Sequence, residues 1–409
     1  MDQNKSPERL PQKSPGLMPG QALQSIHNGH IPALTGVRFF AVFHIFLFHL
    51  WSLHDMEPDP QLGDIMASIG NLPPLLVTFI SHGYLSTSFF FMLSGFILSY
   101  LYWGSDNRFT TEPKRFWLLR FSRLYPIHFI VLLITFILMI GFYIQMQVPT
   151  HKIVLSFIAT AALVQAWFPP YVPMWSWPTW TLSALLFLYL IMPWLTQRFA
   201  GASKKQLVVL LAALPVVSLI PTFIYSFYYP TGTDGGQNLK IFLGSTPIFW
   251  IPHFLAGMLL TRLFSINRYS SNWHGDYRFL IAPGDIAIIC IIAIACLSNI
   301  EEPFKFYLRH GLLMPLYMII ILDLSRNRGL FAKLFALPSC GILGETAFSI
   351  FIWQNLIMMF CYIALMINTA TRPYLFWGAS LLVILISLGS TYNIEKPLSN
   401  KLRKKYLDK

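Results

Sequence analysis

The chain has 409 residues, of which 55% are hydrophobic and only 11% charged, with a formal net charge of +12. Soluble domains carry about 25% charged residues, so a chain this poor in charge lacks the polar surface needed to face water. Its mean hydropathy of +0.56 and its repeated apolar runs of 17 to 22 residues fit membrane-spanning helices, and they exclude a soluble fold.

The composition therefore predicts an all-α, polytopic membrane helix bundle in one domain, since such bundles grow by adding spans. Twenty-nine basic residues face 17 acidic ones. The basic residues sit in loops and form no stripe, so their bias reads as membrane topology and not as nucleic-acid binding. The four cysteines lack metal-like spacing and imply no disulfide framework.

Residues 1–29 mix Pro, Gly, Ser, Gln and Asn without apolar periodicity, which predicts a disordered cytoplasmic tail. They lack the apolar stretch of a signal peptide. A membrane domain over 30–398 and a basic cytoplasmic tail over 399–409 complete the expected organisation. In chain order the candidate spans are 32–53, 83–103, 124–145, 180–197, 206–227, 247–264, 280–299, 306–324, 342–366 and 373–393. Segment 152–167 is apolar but short. If it does not cross, 23 Lys and Arg lie inside and five outside, apart from Arg38 within the first span. If it crosses, the split becomes 12 against 16. The positive-inside rule selects the first count: ten spans, both termini cytoplasmic, and 152–167 as a re-entrant or interfacial helix. The acidic loop with Asp55, Glu57, Asp59 and Asp64 then falls outside, as do Glu301 and Glu302. So do Lys305 and Arg309.

The first span carries Arg38, His44 and His49. An arginine in a span costs about 2.5–3.5 kcal/mol on insertion scales, so it turns towards the bundle interior and a partner. Arg38 and His49 are eleven residues apart, which at about 100° per residue is three turns plus about 20°. Both side chains thus project from one face, about 16 Å apart along the axis, while His44 points elsewhere. Such a track suits a cationic anchor for an anionic ligand, followed by a base. The alternative is an arginine snorkelling to headgroups and a histidine bonded within the bundle. Arg120 and Arg123, three apart, share a face at the mouth of the third span, where guanidinium groups can hold phosphates or simply anchor the helix. Small residues around Ser94 and Gly95 suggest close helix packing. Trp175, Trp177 and Trp180 read mainly as interfacial anchors.

Together and in order, these segments resemble the acyltransferase-3 family of integral membrane acyltransferases. Pro32-Ala-Leu-Thr-Gly-Val-Arg38 followed by His49 resembles its arginine, ten residues, histidine motif. Ser88-Phe-Phe-Phe-Met-Leu-Ser-Gly-Phe96 is similar to its second-span signature, and Arg120-Phe-Ser-Arg-Leu-Tyr-Pro126 to its basic segment. Trp180-Thr-Leu-Ser183, Pro252-His-Phe-Leu-Ala-Gly-Met258, Gly344-Glu345 through Trp353, and Glu395-Lys-Pro397 match later landmarks. The resemblance covers roughly residues 31–400.

It implies a membrane O-acyltransferase that moves an acyl group, commonly acetyl from acetyl-CoA, to a hydroxyl of a glycan, lipid-linked sugar or small natural product. Acyl-CoA is then a co-substrate, with no metal and no bound cofactor. Arg38, Arg120 and Arg123 would bind the donor, and His49 would act as general base or carry the acyl group. Membrane lipids are the surrounding partners, in an inner or plasma membrane. Two positions depart from the family pattern. Ala184-Leu185 stand where many members carry a glutamate, and Gln354 where the late signature often ends in histidine. The chain's end shortly after the last span leads to the expectation that the membrane domain meets its acceptor itself or through a partner. A transporter or flippase, and a relative that binds acyl-CoA without turnover, stay open. Against a coupled carrier, Asp285, Asp323 and Glu345 fall near span ends and not at mid-depth.

Overall fold

The computed structural model describes residues 31–52, 72–104, 106–228, 235–268, 281–297, 300–367 and 372–407. The expected disordered tail 1–29 and the acidic loop at Asp55–Asp64 lie outside the described residues. Among the described residues the regular structure is helical, with a single isolated bridge between Trp103 and Phe109.

Among the described residues seven helices are long and apolar enough to cross a membrane: Pro32–Ser52, Leu85–Tyr102, Pro113–Gln145, Trp177–Arg198, Lys204–Tyr228, Pro247–Ile266 and Tyr374–Leu402. Two bent pairs, Phe304–Leu312 with Met314–Ser325 (42°) and Pro338–Glu345 with Ala347–Cys361 (57°), raise the number to as many as nine. The expected ten spans exceed that by the segment 280–299. There the structure holds a shorter apolar helix, Pro283–Ala295. Segment 152–167 forms a 12-residue helix, Thr150–Ala161, followed by 3-10 turns, and it is not among the candidate spans. The protein is an integral membrane helix bundle.

Local chemistry sets the helix ends. Pro113 opens its helix at the first turn, where a missing N–H costs nothing. This carries the arginine segment onto the same 33-residue helix as the third span, which sequence hydropathy began only at residue 124. Ser203 and Gln206 form a reciprocal capping box, with Ser203 N–H donating to Gln206 Oε1 at 2.9 Å. Asp285 Oδ2 accepts from the backbone N–H groups of Ala282 and Leu330, both at 2.9 Å, and Oδ1 from Phe331 at 3.0 Å. Asp323 accepts from Gly284 N–H at 2.7 Å. Both carboxylates are thus spent on backbone ends.

The first helix (α1, Pro32–Ser52) lies against Leu85–Tyr102, Pro338–Glu345 and Ala347–Ile367. Its neighbour Leu85–Tyr102 packs most extensively on Ile251–Arg268. The reason is reciprocal. A Cβ on Gly95 would strike the Phe254 carbonyl, and one on Gly257 would strike the Met92 carbonyl. Only hydrogen fits at both positions, so the two backbones touch. Thr261 Oγ1 adds a bond to the Phe96 carbonyl at 2.8 Å.

Gly95→Val should therefore destabilise the bundle by about 1–3 kcal/mol, as overpacking does. Gly141→Ala, whose Cβ meets nothing within 4 Å, should stay within about 0.5 kcal/mol of the parent protein. Unfolding of the detergent-purified variants checks both, and equal stability for the two would show that the backbone contact is not limiting.

Candidate active site

Helix α1 presents Arg38 near one end and His49 near the other. Arg38, Arg120 and Arg123 line one cavity of about 130 Å³, together with Tyr189, Leu185 and Glu345. The structure thus brings together the three arginines singled out in the sequence. Arg123 Nε donates to Glu395 Oε1 at 3.3 Å, and Glu395 Oε2 accepts from Ser349 Oγ at 3.0 Å. Arg120 donates to the Tyr102 hydroxyl at 2.5 Å and stacks over the Tyr102 and Phe116 rings, 4.9 and 5.7 Å from their centroids. Glu345 accepts from Lys396 Nζ at 2.5 Å and from the Tyr392 hydroxyl at 2.7 Å.

Arg38 differs from the other two. Its Nε is enclosed with no hydrogen-bond partner among the described residues, and so is the Nε of Arg120. The guanidinium groups of Arg120 and Arg123 repel Arg38, while the Glu345 carboxylate opposes that repulsion. An enclosed donor without an acceptor costs about 1–3 kcal/mol, more when charged. Such a constellation has chemical use for an anion with several acceptor oxygens.

His49 does not line this cavity. Its ring stays partly accessible and makes no hydrogen bond among the described residues. The charged side chain acting on it is Arg309. Sequence topology assigned Arg309 to an outer loop. The structure instead places it on a π-helical turn, Leu308–Leu312, within the bent pair. The guanidinium sits 5.5 Å from the ring centroids of both Trp180 and Trp250, and donates to the Gly244 carbonyl at 3.3 Å. Ser88 Oγ donates to the Arg309 backbone carbonyl. An adjacent Arg-His pair inside the candidate span 306–324 was the available signal, on the same grounds that singled out Arg38.

His44 faces away from both centres, as its spacing requires. Its two ring nitrogens meet Ser86 Oγ at 2.9 Å and the Phe79 carbonyl at 2.8 Å, and the ring stacks on Phe79 at 4.2 Å. Trp175 and Trp180 correct the expectation of interfacial anchors. Both are core side chains, Trp175 donating to Ser156 Oγ at 2.9 Å and Trp180 packing on Trp250 at 5.4 Å. Leu185 puts an apolar side chain on the cavity wall. Gln354 is fully buried and donates to the Phe351 carbonyl of its own helix at 2.9 Å. Among the described residues no group of three or more His, Cys, Asp and Glu side chains could hold a metal ion.

A family model for the acyltransferase-3 acyltransferase domain matches residues 31–392. The chain belongs to this family. Curated relatives include the acyltransferase MdmB of Streptomyces mycarofaciens, 28% identical over 165 residues, which are 40% of this chain and 38% of the relative. Another is the peptidoglycan O-acetyltransferase OatA of Listeria monocytogenes serovar 1/2a, 22% identical over 342 residues, 80% of this chain and 49% of the relative. The chain therefore spans half or less of the length of these relatives. No solved structure matches it. Within the matched acyltransferase-3 region lie Arg38, His49, Arg120, Arg123 and Arg309.

The side chain of Glu395 is 4% exposed and that of Arg123 42%, so the carboxylate has more to lose from separation. A double-mutant cycle of Arg123→Gln and Glu395→Gln should return a coupling energy of about 0.5–3 kcal/mol in unfolding experiments. Additive effects would show that the pair contributes nothing net.

Proposed function

We propose that this protein is a membrane O-acyltransferase that uses acyl-CoA, with acetyl-CoA as the preferred donor. The acceptor is a hydroxyl of a glycan, a lipid-linked sugar or a small natural product. One observation carries the reading: Arg38, Arg120 and Arg123 surround one cavity, two of them with an enclosed Nε lacking any partner. Three guanidinium groups suit the phosphates of a coenzyme A nucleotide, because their planar forks bind phosphoryl oxygens in pairs. His49 follows on the same helix face, about 16 Å further along α1. A pantetheine arm joining the two would deliver the thioester to His49, which takes the proton of the acceptor hydroxyl. In this reading the arginine cavity is cytoplasmic, where acyl-CoA is supplied.

A family relative named as a peptidoglycan O-acetyltransferase supports a glycan acceptor, and one named as an acyltransferase supports acyl transfer in general. Transport receives less support, because Asp285 and Asp323 are bound to backbone N–H groups at helix ends and are not placed to carry a coupling ion. Donor binding without turnover is the second reading. It draws on Leu185 in the cavity wall and on Gln354, whose side-chain N–H donates to its own helix.

The first test is thermal stabilisation of the purified protein by CoA and acetyl-CoA. A ligand at a hundred times its dissociation constant should add about 2.7 kcal/mol. Arg38→Ala should abolish the effect, and a well-folded parent protein that CoA does not stabilise would refute the donor assignment. His49→Ala should keep donor stabilisation and lower acyl transfer about 10²- to 10⁴-fold. Unchanged transfer would remove His49 from the reaction.

A further inference from the structure

We infer that Arg309 is a second catalytic residue of this reaction, whose guanidinium holds the acyl carbonyl oxygen as it becomes an oxyanion. The inference rests on the acyl-CoA reading above and concerns the His49 end of the site.

Several features place a charge-stabilising group there. Arg309 is the charged side chain whose field acts on His49, and both residues are half-buried. Its Nε is enclosed without a hydrogen-bond partner, and beside it the buried Tyr84 hydroxyl is likewise unpartnered. Its guanidinium is fixed by Trp180, Trp250 and the Gly244 carbonyl, so it need not reorganise when charge appears. The side chain comes from a π-helical turn, a distortion that costs helix hydrogen bonding and recurs where a side chain must be aimed. The Ser88 hydroxyl bound to the Arg309 carbonyl holds that turn against the helix Leu85–Tyr102.

In the step, the His49 imidazole takes the proton of the acceptor hydroxyl. The acceptor oxygen bonds to the thioester carbon, and the carbonyl π pair moves onto oxygen, beside Arg309. Collapse of that tetrahedral species breaks the carbon–sulfur bond. The CoA thiolate leaves, and His49 returns the proton to it. Ester, free CoA thiol and neutral His49 result, with no other reactant needed.

The test uses the full chain in proteoliposomes, with acetyl-CoA as donor and either water or an N-acetylglucosamine oligomer as acceptor. Release of CoA thiol is the readout, with CoA-dependent thermal stabilisation measured in parallel. Arg309→Ala should lower turnover about 10²- to 10³-fold while CoA stabilisation persists, the signature of lost transition-state contact. Millimolar guanidinium should restore part of the turnover to Arg309→Ala and none to His49→Ala. Arg309→Lys, which keeps a cation between the indoles, serves if the alanine variant does not fold, and should also lose turnover with CoA stabilisation kept. Turnover within about tenfold of the parent protein would overturn the inference, as would loss of CoA stabilisation in step with turnover. A parent protein that CoA stabilises but that releases no thiol would overturn the role of Arg309 and leave the donor site standing. A parent protein showing neither would overturn both readings.

Discussion

In a bilayer the lipid tails are as apolar as leucine, so helices gain little by hiding hydrophobic side chains from them. Close van der Waals contact between backbones takes over that role, and here it depends on positions where no Cβ can stand. Gly95 and Gly257 seat the helices Leu85–Tyr102 and Ile251–Arg268 on each other's carbonyls. Gly36 fits against the Phe335 carbonyl, Gly344 against that of Thr35, and Gly83 against that of His44. Three of these contacts fall on α1, two of them at Thr35 and Gly36 and one more than two turns further on at His44. The helix that carries Arg38 and His49 is therefore held along its length, and the separation of the two side chains is a fixed property of the bundle.

That rigidity matters because the charges it positions are poorly compensated. Of the three arginines around the cavity, Arg123 has a carboxylate, Arg120 has a phenol and two aromatic faces, and Arg38 has neither an ion pair nor a hydrogen bond among the described residues. Arg309, at the other end of α1, is held by indoles and a carbonyl. Aromatic faces attract a cation while leaving its N–H groups free to donate, which a carboxylate would not. The carboxylates Asp285 and Asp323 are meanwhile occupied at helix ends. The protein thus keeps positive charge available at two ends of α1, with Glu302 acting on Arg309 and with Glu345 and Glu395 near the arginine cavity.

Much of this was legible from residue order. Span length and helical phase yielded the bundle, the separate direction of His44 and the short helix at Thr150–Ala161. What was hidden has specific causes. Hydropathy cannot see that a helix begins at Pro113, well before its apolar part, because polar residues continue a helix as readily as apolar ones. Counting charges by loop placed Arg309 in a loop, since the rule presumes that an arginine near a span end belongs to water. A π-helical turn and two tryptophans distant in sequence supplied the environment that broke this presumption. Trp175 and Trp180 were misplaced for the same reason. Aromatic residues near span ends usually meet headgroups, and nothing local announces that other helices cover them.

The ion pair between Arg123 and Glu395 joins residues 272 positions apart. A ribosome adding about 5–20 residues per second delivers the carboxylate on the order of tens of seconds after the arginine. During that interval the arginine cluster stands in a growing bundle without its nearest anion. The helix bearing Glu395 therefore completes the electrostatics of the cavity, whose wall comes from earlier helices, and those helices must tolerate the cluster until it arrives. Maturation of this protein has an order, set by where in the chain its counter-charge is encoded.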